Sequence, residues 1–392
     1  MKLAARVDRI EPFYVMELAK AAAQVAAGPL CDPALGGRRM IRLNVGEPDF
    51  GAAPAVRDAL GRIAQGPTPY TDALGLPALR EAISRWYVQR FDLAIAPERI
   101  AITAGASAGL QLACLALFER GDEVLMPDPC YPCNRHFVAA ADATPRLLPT
   151  SAGARFQLDA AQVREAWTSA TRGVLLASPS NPTGTSIAPD VLADIAGFVR
   201  DVGGVTVVDE IYLPLSYDEN FGDTALKLGD DIVSVNSFSK YFGMTGWRLG
   251  WLVLPPALVT AVERLAQNLY ICPPTLSQMA ALACFEPDSI AEFERRRALL
   301  RERRDYIVAA LNDLGLHVPV PPDGAFYAWM DISQHRPDSW AFAQELLDCA
   351  QIALTPGRDF GATDPQRWMR LSFASSMDDL QEAVARLREV LA

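Results

Sequence analysis

The chain has 392 residues, half of them hydrophobic, which is enough to bury the cores of two or three domains. Its formal net charge of −11 disfavours a protein that binds nucleic acid through phosphate contacts. No apolar run reaches the roughly 18 residues that a membrane span needs, and the N-terminus lacks a signal-peptide pattern. The odd number of cysteines, seven, fits a reducing compartment. We therefore expect a cytoplasmic protein with neither a nucleic acid nor a membrane as partner.

Predicted helices and strands alternate over most of the chain. The Ala-rich segment 15–27 predicts a helix, and a linker with Pro and Gly, 28–39, follows it. Short apolar runs then alternate with helical segments, and these runs predict six strands, at 99–103, 123–126, 173–177, 205–208, 232–236 and 249–254. Because the runs show little polar alternation, we expect a mostly parallel sheet that helices cover on both faces.

The pattern changes near residue 285. A long helix is predicted at 290–314, and its interleaved arginines and acidic residues indicate a solvated, salt-bridged face rather than a nucleic-acid patch. Four further elements follow: strands at 326–332 and 370–373, and helices at 339–350 and 378–391. The sequence therefore predicts an α/β protein with a large domain, 45–287, and a smaller α+β domain made of 1–44 and 288–392.

Two motifs suggest chemistries that the rest of the chain does not support. The segment Gly105-Ala-Ser107-Ala-Gly109 matches the nucleophile turn of serine hydrolases. The chain has only three histidines, however, and neither His317 nor His335, both in the small domain, has a persuasive setting for the base. Cys130 and Cys133 form a C-x-x-C pair with no second pair to complete a zinc site. We expect packing or turn cysteines there, no redox centre, and no metal.

A third segment, 237–250, is chemically richer. It follows a predicted strand and combines Ser237, Ser239, Lys240 and Arg248 with three glycines. Hydroxyls and a guanidinium suit a phosphate, and glycines let the backbone approach it. The chain has only four lysines, and a lysine amine can form a Schiff base whereas a guanidinium cannot readily do so. This segment therefore predicts a reactive amine beside a phosphate.

Other polar groups also follow predicted strands. The turn at Ala106 and Ser107 enters a helix, whose free N–H groups would hold an anion. Asp209 follows a buried strand, where a carboxylate needs a cation, although a capping role in the next turn stays open. Asn181 begins an Asn-Pro-Thr-Gly turn, which alone is ordinary. Ligands of open α/β sheets bind at the carboxyl ends of the strands, so we expect these groups to converge.

Taken together, the segments resemble a known family. SFSKYFGMTGWRLG resembles the lysine signature of the class I and II aminotransferases, which use pyridoxal phosphate (PLP) in the aspartate-aminotransferase-like fold. The NPTG, DEIY and late RLSF segments fall in the family's order, and the likeness runs from about residue 40 to the C-terminus. It implies an aminotransferase that moves an amino group from an L-amino acid to a 2-oxo acid, by default 2-oxoglutarate, through a ping-pong Schiff-base mechanism.

The resemblance also implies roles for individual residues around the cofactor ring. Lys240 would form the Schiff base with PLP and act as the base at the substrate α-carbon. Asp209 would pair with the protonated ring nitrogen, and Tyr212 and Asn181 would hydrogen-bond the phenolic oxygen. Tyr131 would stack on the ring.

The remaining implied roles concern the phosphate and the substrate. Arg370 would bind the substrate α-carboxylate, helped by Asn181 and the backbone of Gly46. The family's homodimer has shared active sites, so Tyr70 would reach the phosphate of the neighbouring subunit. The phosphate group would be bound within one chain by Ala106, Ser107, Ser237, Ser239 and Arg248.

Alternatives remain at this point. A PLP-dependent lyase acting at the β- or γ-carbon would use the same carbanion. A PLP-sensing transcription regulator would need a DNA-binding module, for which the roughly 40 residues before the matching region leave little room. The substrate side chain is open: no lysine occurs in the turn AGASAGLQ, which weakens an aspartate-only interpretation. The segment 12–15 is interpreted as part of the entrance, which would suit neutral or aromatic side chains.

Overall fold

Strands and helices alternate through the first two thirds of the computed structural model, which describes residues 2–392. The strands are β1 (Ile41–Arg42), β2 (Ile100–Thr103), β3 (Glu123–Asp128), β4 (Thr144–Pro149), β5 (Thr171–Ala177), β6 (Val205–Asp209), β7 (Val233–Ser237), β8 (Gly250–Val253), β9 (Tyr327–Asp331), β10 (Ile352–Ala353), β11 (Thr355–Pro356) and β12 (Trp368–Ser372). The helices are α1 (Tyr14–Ala26), α2 (Pro54–Ile63), α3 (Pro77–Phe91), α4 (Ala106–Leu117), α5 (Pro132–Ala140), α6 (Ala160–Ala166), α7 (Pro189–Asp201), α8 (Pro256–Leu269), α9 (Thr275–Ala281), α10 (Pro287–Asp313), α11 (Ser339–Glu345) and α12 (Met377–Leu391).

Seven strands form one sheet in the order β2-β8-β7-β6-β5-β3-β4. All neighbours are parallel except β8, which runs antiparallel to both β2 and β7. In the register, Asp209 at the end of β6 pairs with Ala177 of β5 and Val235 of β7. The ends of three adjacent strands therefore meet at one edge, where ligands of such sheets bind.

Two small sheets lie in the later part of the fold. β9, β12 and β11 form an antiparallel sheet in which Arg370 pairs with Trp329 on one side and Thr355 on the other. β1 pairs in parallel with β10, so the chain near residue 41 joins the C-terminal part. Leu43 extends this link, because its carbonyl accepts from the Ser372 N–H. The segment that follows β1 is thereby placed beside β12.

The predicted fold class is confirmed: a mostly parallel sheet wrapped by helices, with a smaller α+β part. All six strands predicted for the large sheet are present. β4 was missed because this edge strand contains Pro145, Pro149 and Arg146, and its side chains are half-exposed, so it lacks a continuous apolar run. The division at 44/45 and 287/288 stays a prediction. One apolar cluster holds Leu43, Phe238 and Leu371 together, so burial does not mark the division.

The arginines of α10 largely form the predicted salt-bridged face. Arg295 and Arg296 pair with Glu292, and Arg297 pairs with Glu294. Arg303 differs, because it is buried and bonds both oxygens of Asp49 at 2.8 and 2.9 Å. That bidentate pair fixes α10 to the segment after Gly46.

Within residues 2–392, no helix is both long and apolar enough to cross a membrane.

Candidate active site

A cavity of about 230 Å³ opens where β5, β6 and β7 end. Twelve of the thirteen residues singled out from the sequence line it: Gly46, Ala106, Ser107, Tyr131, Asn181, Asp209, Tyr212, Ser237, Ser239, Lys240, Arg248 and Arg370. The thirteenth, Tyr70, does not; its side chain is 79% exposed. The structure therefore brings together groups from seven separate stretches of chain.

Lys240 lies in the loop that follows β7. The buried rings of Phe238 and Phe242 anchor this loop, and the Ser239 N–H donates to Ser237 Oγ at 3.0 Å. The Lys240 Nζ donates to the carbonyl oxygen of Gly46 at 2.6 Å. Burial lowers the pKa of the Lys240 amine to about 8, although Glu47 opposes the change. A lower pKa increases the neutral fraction near pH 7, which is the form that attacks a carbonyl.

Asp209 ends β6 with only 4% of its surface exposed. Its carboxylate accepts the Ile211 N–H at 3.2 Å, so the local turn contact considered from the sequence is present. Burial raises the pKa of Asp209 to about 6, against hydrogen bonds from Ile211 and Asn134 and the charge of Lys240. A buried carboxylate that lines a cavity is stabilised by a cationic N–H, and the protonated ring nitrogen of PLP is such a group.

Another group of residues in the cavity lining is suited to an anion. α4 begins at Ala106, and its first N–H groups have no acceptor within the helix. Gly105 has a φ of +84°, and a Cβ there would come within 2.5 Å of the Arg248 guanidinium. A helix N-terminus, the Arg248 guanidinium and the hydroxyls of Ser237 and Ser239 thus line one cavity. This is the set of donors that a phosphate requires.

Arg370 is a buried cation without a carboxylate partner in the described hydrogen bonds. It is 2% exposed; its Nη1 donates to Asn181 Oδ1 at 2.8 Å and its Nη2 to the Asn44 carbonyl at 2.6 Å. Its Nε has no partner among the described residues. The guanidinium also lies over the Tyr327 ring at 4.4 Å. An incoming carboxylate would compensate this buried charge.

Sequence reasoning missed Tyr327, whose hydroxyl lies 2.7 Å from that of Tyr212. Burial raises the pKa of Tyr212 well above its ordinary value, which keeps the phenol protonated and able to donate. The only sequence signal for Tyr327 was its place at the start of a predicted strand. Within the segment 12–15, Phe13 and Val15 line the cavity, while Tyr14 packs outside it against Trp340.

The two alternative motifs gain no support. No histidine lines the cavity among residues 2–392, so Ser107 has no histidine base there. Each of the seven cysteines is a free thiol. Burial raises the pKa of Cys130 to about 12, which disfavours the reactive thiolate.

Comparison with known proteins identifies the family of this chain. The family described as aminotransferase class I and II matches residues 38–387. The chain is 39% identical over 383 residues to the valine–pyruvate aminotransferase of Mycobacterium tuberculosis, covering 96% of each chain. A crystal structure of an aminotransferase from Mycobacterium tuberculosis superposes with a TM-score of 0.94 at 37% identity, covering 100% of this chain and 99% of that one.

A second solved structure, the aspartate aminotransferase of Thermus thermophilus with maleate, superposes with a TM-score of 0.91 at 31% identity and covers 100% of both chains. These matches extend over nearly the whole chain. The chain belongs to the class I and II aminotransferases and is a pyridoxal-phosphate-dependent enzyme with the aspartate-aminotransferase-like fold.

Proposed function

We propose that the enzyme transfers the amino group of a neutral aliphatic L-amino acid to a 2-oxo acid, by the ping-pong route expected from the sequence. One observation carries the choice of donor. Among the described residues that line the cavity, the only cations are Lys240, Arg248 and Arg370. Each has a proposed task, so this chain supplies no further cation for a side-chain carboxylate. Phe13, Val15 and Met16 instead give the cavity an apolar part.

PLP, when bound, supplies the electron sink that stabilises a carbanion at the substrate α-carbon. Lys240 takes the α-proton onto its amine and later returns it, because its pKa of about 8 suits proton transfer in both directions near neutral pH. Asp209 would hold the proton on the ring nitrogen, and its burial would strengthen that pair. Arg370 orients the substrate through its carboxylate, with Asn181 and Gly46 beside it.

The remaining residues hold the cofactor in place. Tyr212 and Asn181 would donate to the phenolic oxygen of the ring, and Tyr131 would pack on its face. The N–H groups and side chains of five residues would bind the phosphate: Ala106, Ser107, Ser237, Ser239 and Arg248. These assignments are supported by the shared cavity and by the donor types that line it.

We also propose a homodimer in which Tyr70 reaches the phosphate of the neighbouring subunit. Tyr70 is 79% exposed, and Leu269, Ile271 and Leu276 also expose apolar surface. A phenol and aliphatic groups so exposed are typical of a surface that a second copy covers. Seven free thiols support the cytoplasmic location expected from the sequence.

Two 2-oxo acids, pyruvate and 2-oxoglutarate, are candidates for the amino-group acceptor. A relative is named a valine–pyruvate aminotransferase, which favours pyruvate, whereas the sequence resemblance predicts 2-oxoglutarate. The apolar part of the cavity and the lack of a further cation in its lining favour pyruvate, which has one carboxylate, over 2-oxoglutarate, which has two. Both acceptors belong in the same assay.

A half-reaction screen tests the proposal. The PLP-loaded enzyme is mixed with valine, alanine or aspartate, and the loss of the cofactor's visible absorbance is followed. We expect valine to react at least about tenfold faster than aspartate, since a buried unpaired carboxylate costs more than 1 kcal/mol. Pyruvate or 2-oxoglutarate should then restore the absorbance. Faster reaction of aspartate would refute the donor assignment. Cysteine carries a thiol leaving group on its β-carbon, so release of pyruvate, sulfide and ammonia from cysteine without an oxo-acid acceptor would identify the lyase.

A further inference from the structure

The apolar part of the cavity is built from the start of α1. Phe13 meets the ring of Tyr131 edge-on, with 6.1 Å between the ring centroids. Val15 is 6% exposed and packs in a cluster with Trp329 and Phe360. Met16 lines the same cavity. We call Phe13, Val15 and Met16 the α1 wall; the position of the first turn of α1 decides how much room this wall leaves for a substrate side chain.

That first turn has no capping side chain of its own. Phe13 occupies the position before the helix and cannot accept a hydrogen bond through its side chain. The acceptor comes from Asp359, which lies more than 340 residues later in the chain. Its Oδ1 accepts the Tyr14 N–H at 2.9 Å, and its Oδ2 accepts the Val15 N–H at 2.5 Å. Asp359 is 1% exposed, so both of its oxygens are committed to α1 in a dry setting.

The loop that carries Asp359 is itself tied to the active site. The Asp359 carbonyl accepts from Arg135 at 3.1 Å, and the Phe360 carbonyl accepts the Cys130 N–H at 2.8 Å, one residue before Tyr131. The Phe360 ring lies 4.9 Å from the Arg370 guanidinium. One short loop thus contacts the neighbourhood of the cofactor ring and that of the substrate carboxylate.

A second contact fixes the same loop from the other side. The Asp128 carboxylate accepts N–H groups from Ala362 and Thr363 at 3.0 and 3.1 Å, and the Thr363 hydroxyl at 2.9 Å. Asp128 is 3% exposed and ends β3 of the central sheet. The central sheet therefore holds the loop, and the loop holds α1 through Asp359.

We propose that Asp359 is a positioning residue for substrate selectivity: by holding the first turn of α1 it sets the α1 wall against the substrate side chain. This proposal rests on the proposed function. Asp359 touches neither substrate nor cofactor in this scheme. Its carboxylate also feels the charge of Arg370. An effect through Arg370 would change the KM of every amino acid alike, whereas an effect through α1 depends on the size of the side chain.

The test compares Asp359→Asn with the control Asp159→Asn in the PLP-loaded enzyme. Asn has one acceptor oxygen, so its NH2 group would face one of the two N–H donors of α1. Asp159 caps α6 by accepting the Gln162 N–H, and neither Asp159 nor Gln162 lines the cavity. Asp159→Asn therefore makes the same chemical change at a helix start away from the cavity. The readout is kcat/KM across a panel of amino acids, with alanine as the smallest chiral member.

We expect Asp359→Asn to reduce the kcat/KM ratio between the best amino acid and alanine about tenfold, the effect of one lost charge-assisted hydrogen bond. The kcat/KM for alanine itself should change less than about threefold. Hydrogen exchange at the backbone amides of residues 14–17 should accelerate, and the cofactor's absorbance should stay the same. Asp159→Asn should leave the ratio unchanged.

Two results would overturn the proposal: equal changes for all amino acids in Asp359→Asn, or a wild-type enzyme that prefers alanine. Should Asp359→Asn fail to fold, Phe13→Ala removes part of the wall directly, and an unchanged ratio in that variant overturns the proposal as well. If wild type prefers aspartate, the proposed donor fails, yet the ratio between aspartate and alanine still tests Asp359.

Discussion

Asp209→Asn should make the cofactor-free enzyme more stable while weakening its hold on PLP. In the free protein the carboxylate is buried beside an open cavity, and burial raises its pKa from an ordinary 3.8 to about 6. The folded state therefore binds the proton more tightly than the unfolded state does. The contribution of this carboxyl group to the free energy of unfolding is fully present below pH 3.8 and is lost as the pH rises through about 6. Asparagine has no such dependence.

The size of the effect follows from the two pKa values. A rise from 3.8 to about 6 corresponds to about 3 kcal/mol of lost stability at pH 8, and to about half of that at pH 5. The advantage of the variant over wild type should therefore grow by between about 1 and 2 kcal/mol between pH 5 and pH 8. The exchange of an oxygen for an NH2 group costs about 1 kcal/mol at both pH values and does not affect this difference.

Urea unfolding of the PLP-free proteins, followed by tryptophan fluorescence at micromolar concentration, measures the difference. The matched control repeats the measurement on both proteins with PLP bound. The ring nitrogen should then compensate the Asp209 carboxylate, so wild type should be more stable than Asp209→Asn. PLP affinity of the variant should fall roughly 10- to 100-fold, the worth of a charge-assisted hydrogen bond. A stability difference that stays constant with pH would refute the reasoning, as would unchanged PLP affinity.

Three further predictions concern Lys240 and Arg370. Lys240→Ala should abolish turnover and the visible absorbance of the bound cofactor while far-UV circular dichroism stays native; an active variant would remove Lys240 from its role. The rate at which the PLP-free enzyme takes up PLP should rise as the pH passes about 8, since the amine must lose its proton to react; a flat profile between pH 7 and 9 would contradict the lowered pKa. Arg370→Ala should raise the KM for amino acids roughly 10- to 100-fold and change PLP affinity less than about threefold, because the guanidinium meets the substrate; the reverse pattern would place the carboxylate elsewhere.

The parts that sequence could predict share one property: their signal is local. Lys240, Asp209 and Asn181 each stand at the end of an apolar strand or within four residues after it, and the segment around Lys240 also has an unusual composition. Parallel strands end at one edge, so convergence could be inferred from strand order alone. Long helices such as α10 were equally visible, since their periodicity extends over many turns.

The parts that sequence could not predict depend on contacts between distant segments. Asp359 lies in an ordinary turn, and its importance comes only from the N–H groups of Tyr14 and Val15. The sequence identifies Tyr327 only as a strand residue, and its proximity to Tyr212 is visible only in the structure. The two-residue strands β1 and β10 have no pattern at all, because their pairing is set by the packing of the elements around them.

The contact between the Lys240 amine and Gly46 bears on how the substrate range of this enzyme can change. Lys240 rests on the main-chain oxygen of Gly46, and the Tyr327 hydroxyl fills the space that a side chain at Gly46 would need. No single exchange of side chains deletes that oxygen. Phe13 and Met16, by contrast, line the cavity and carry side chains that a substitution can replace. Substitutions in the α1 wall can therefore change which substrate side chains the cavity accepts while the contact between Lys240 and the Gly46 carbonyl stays in place.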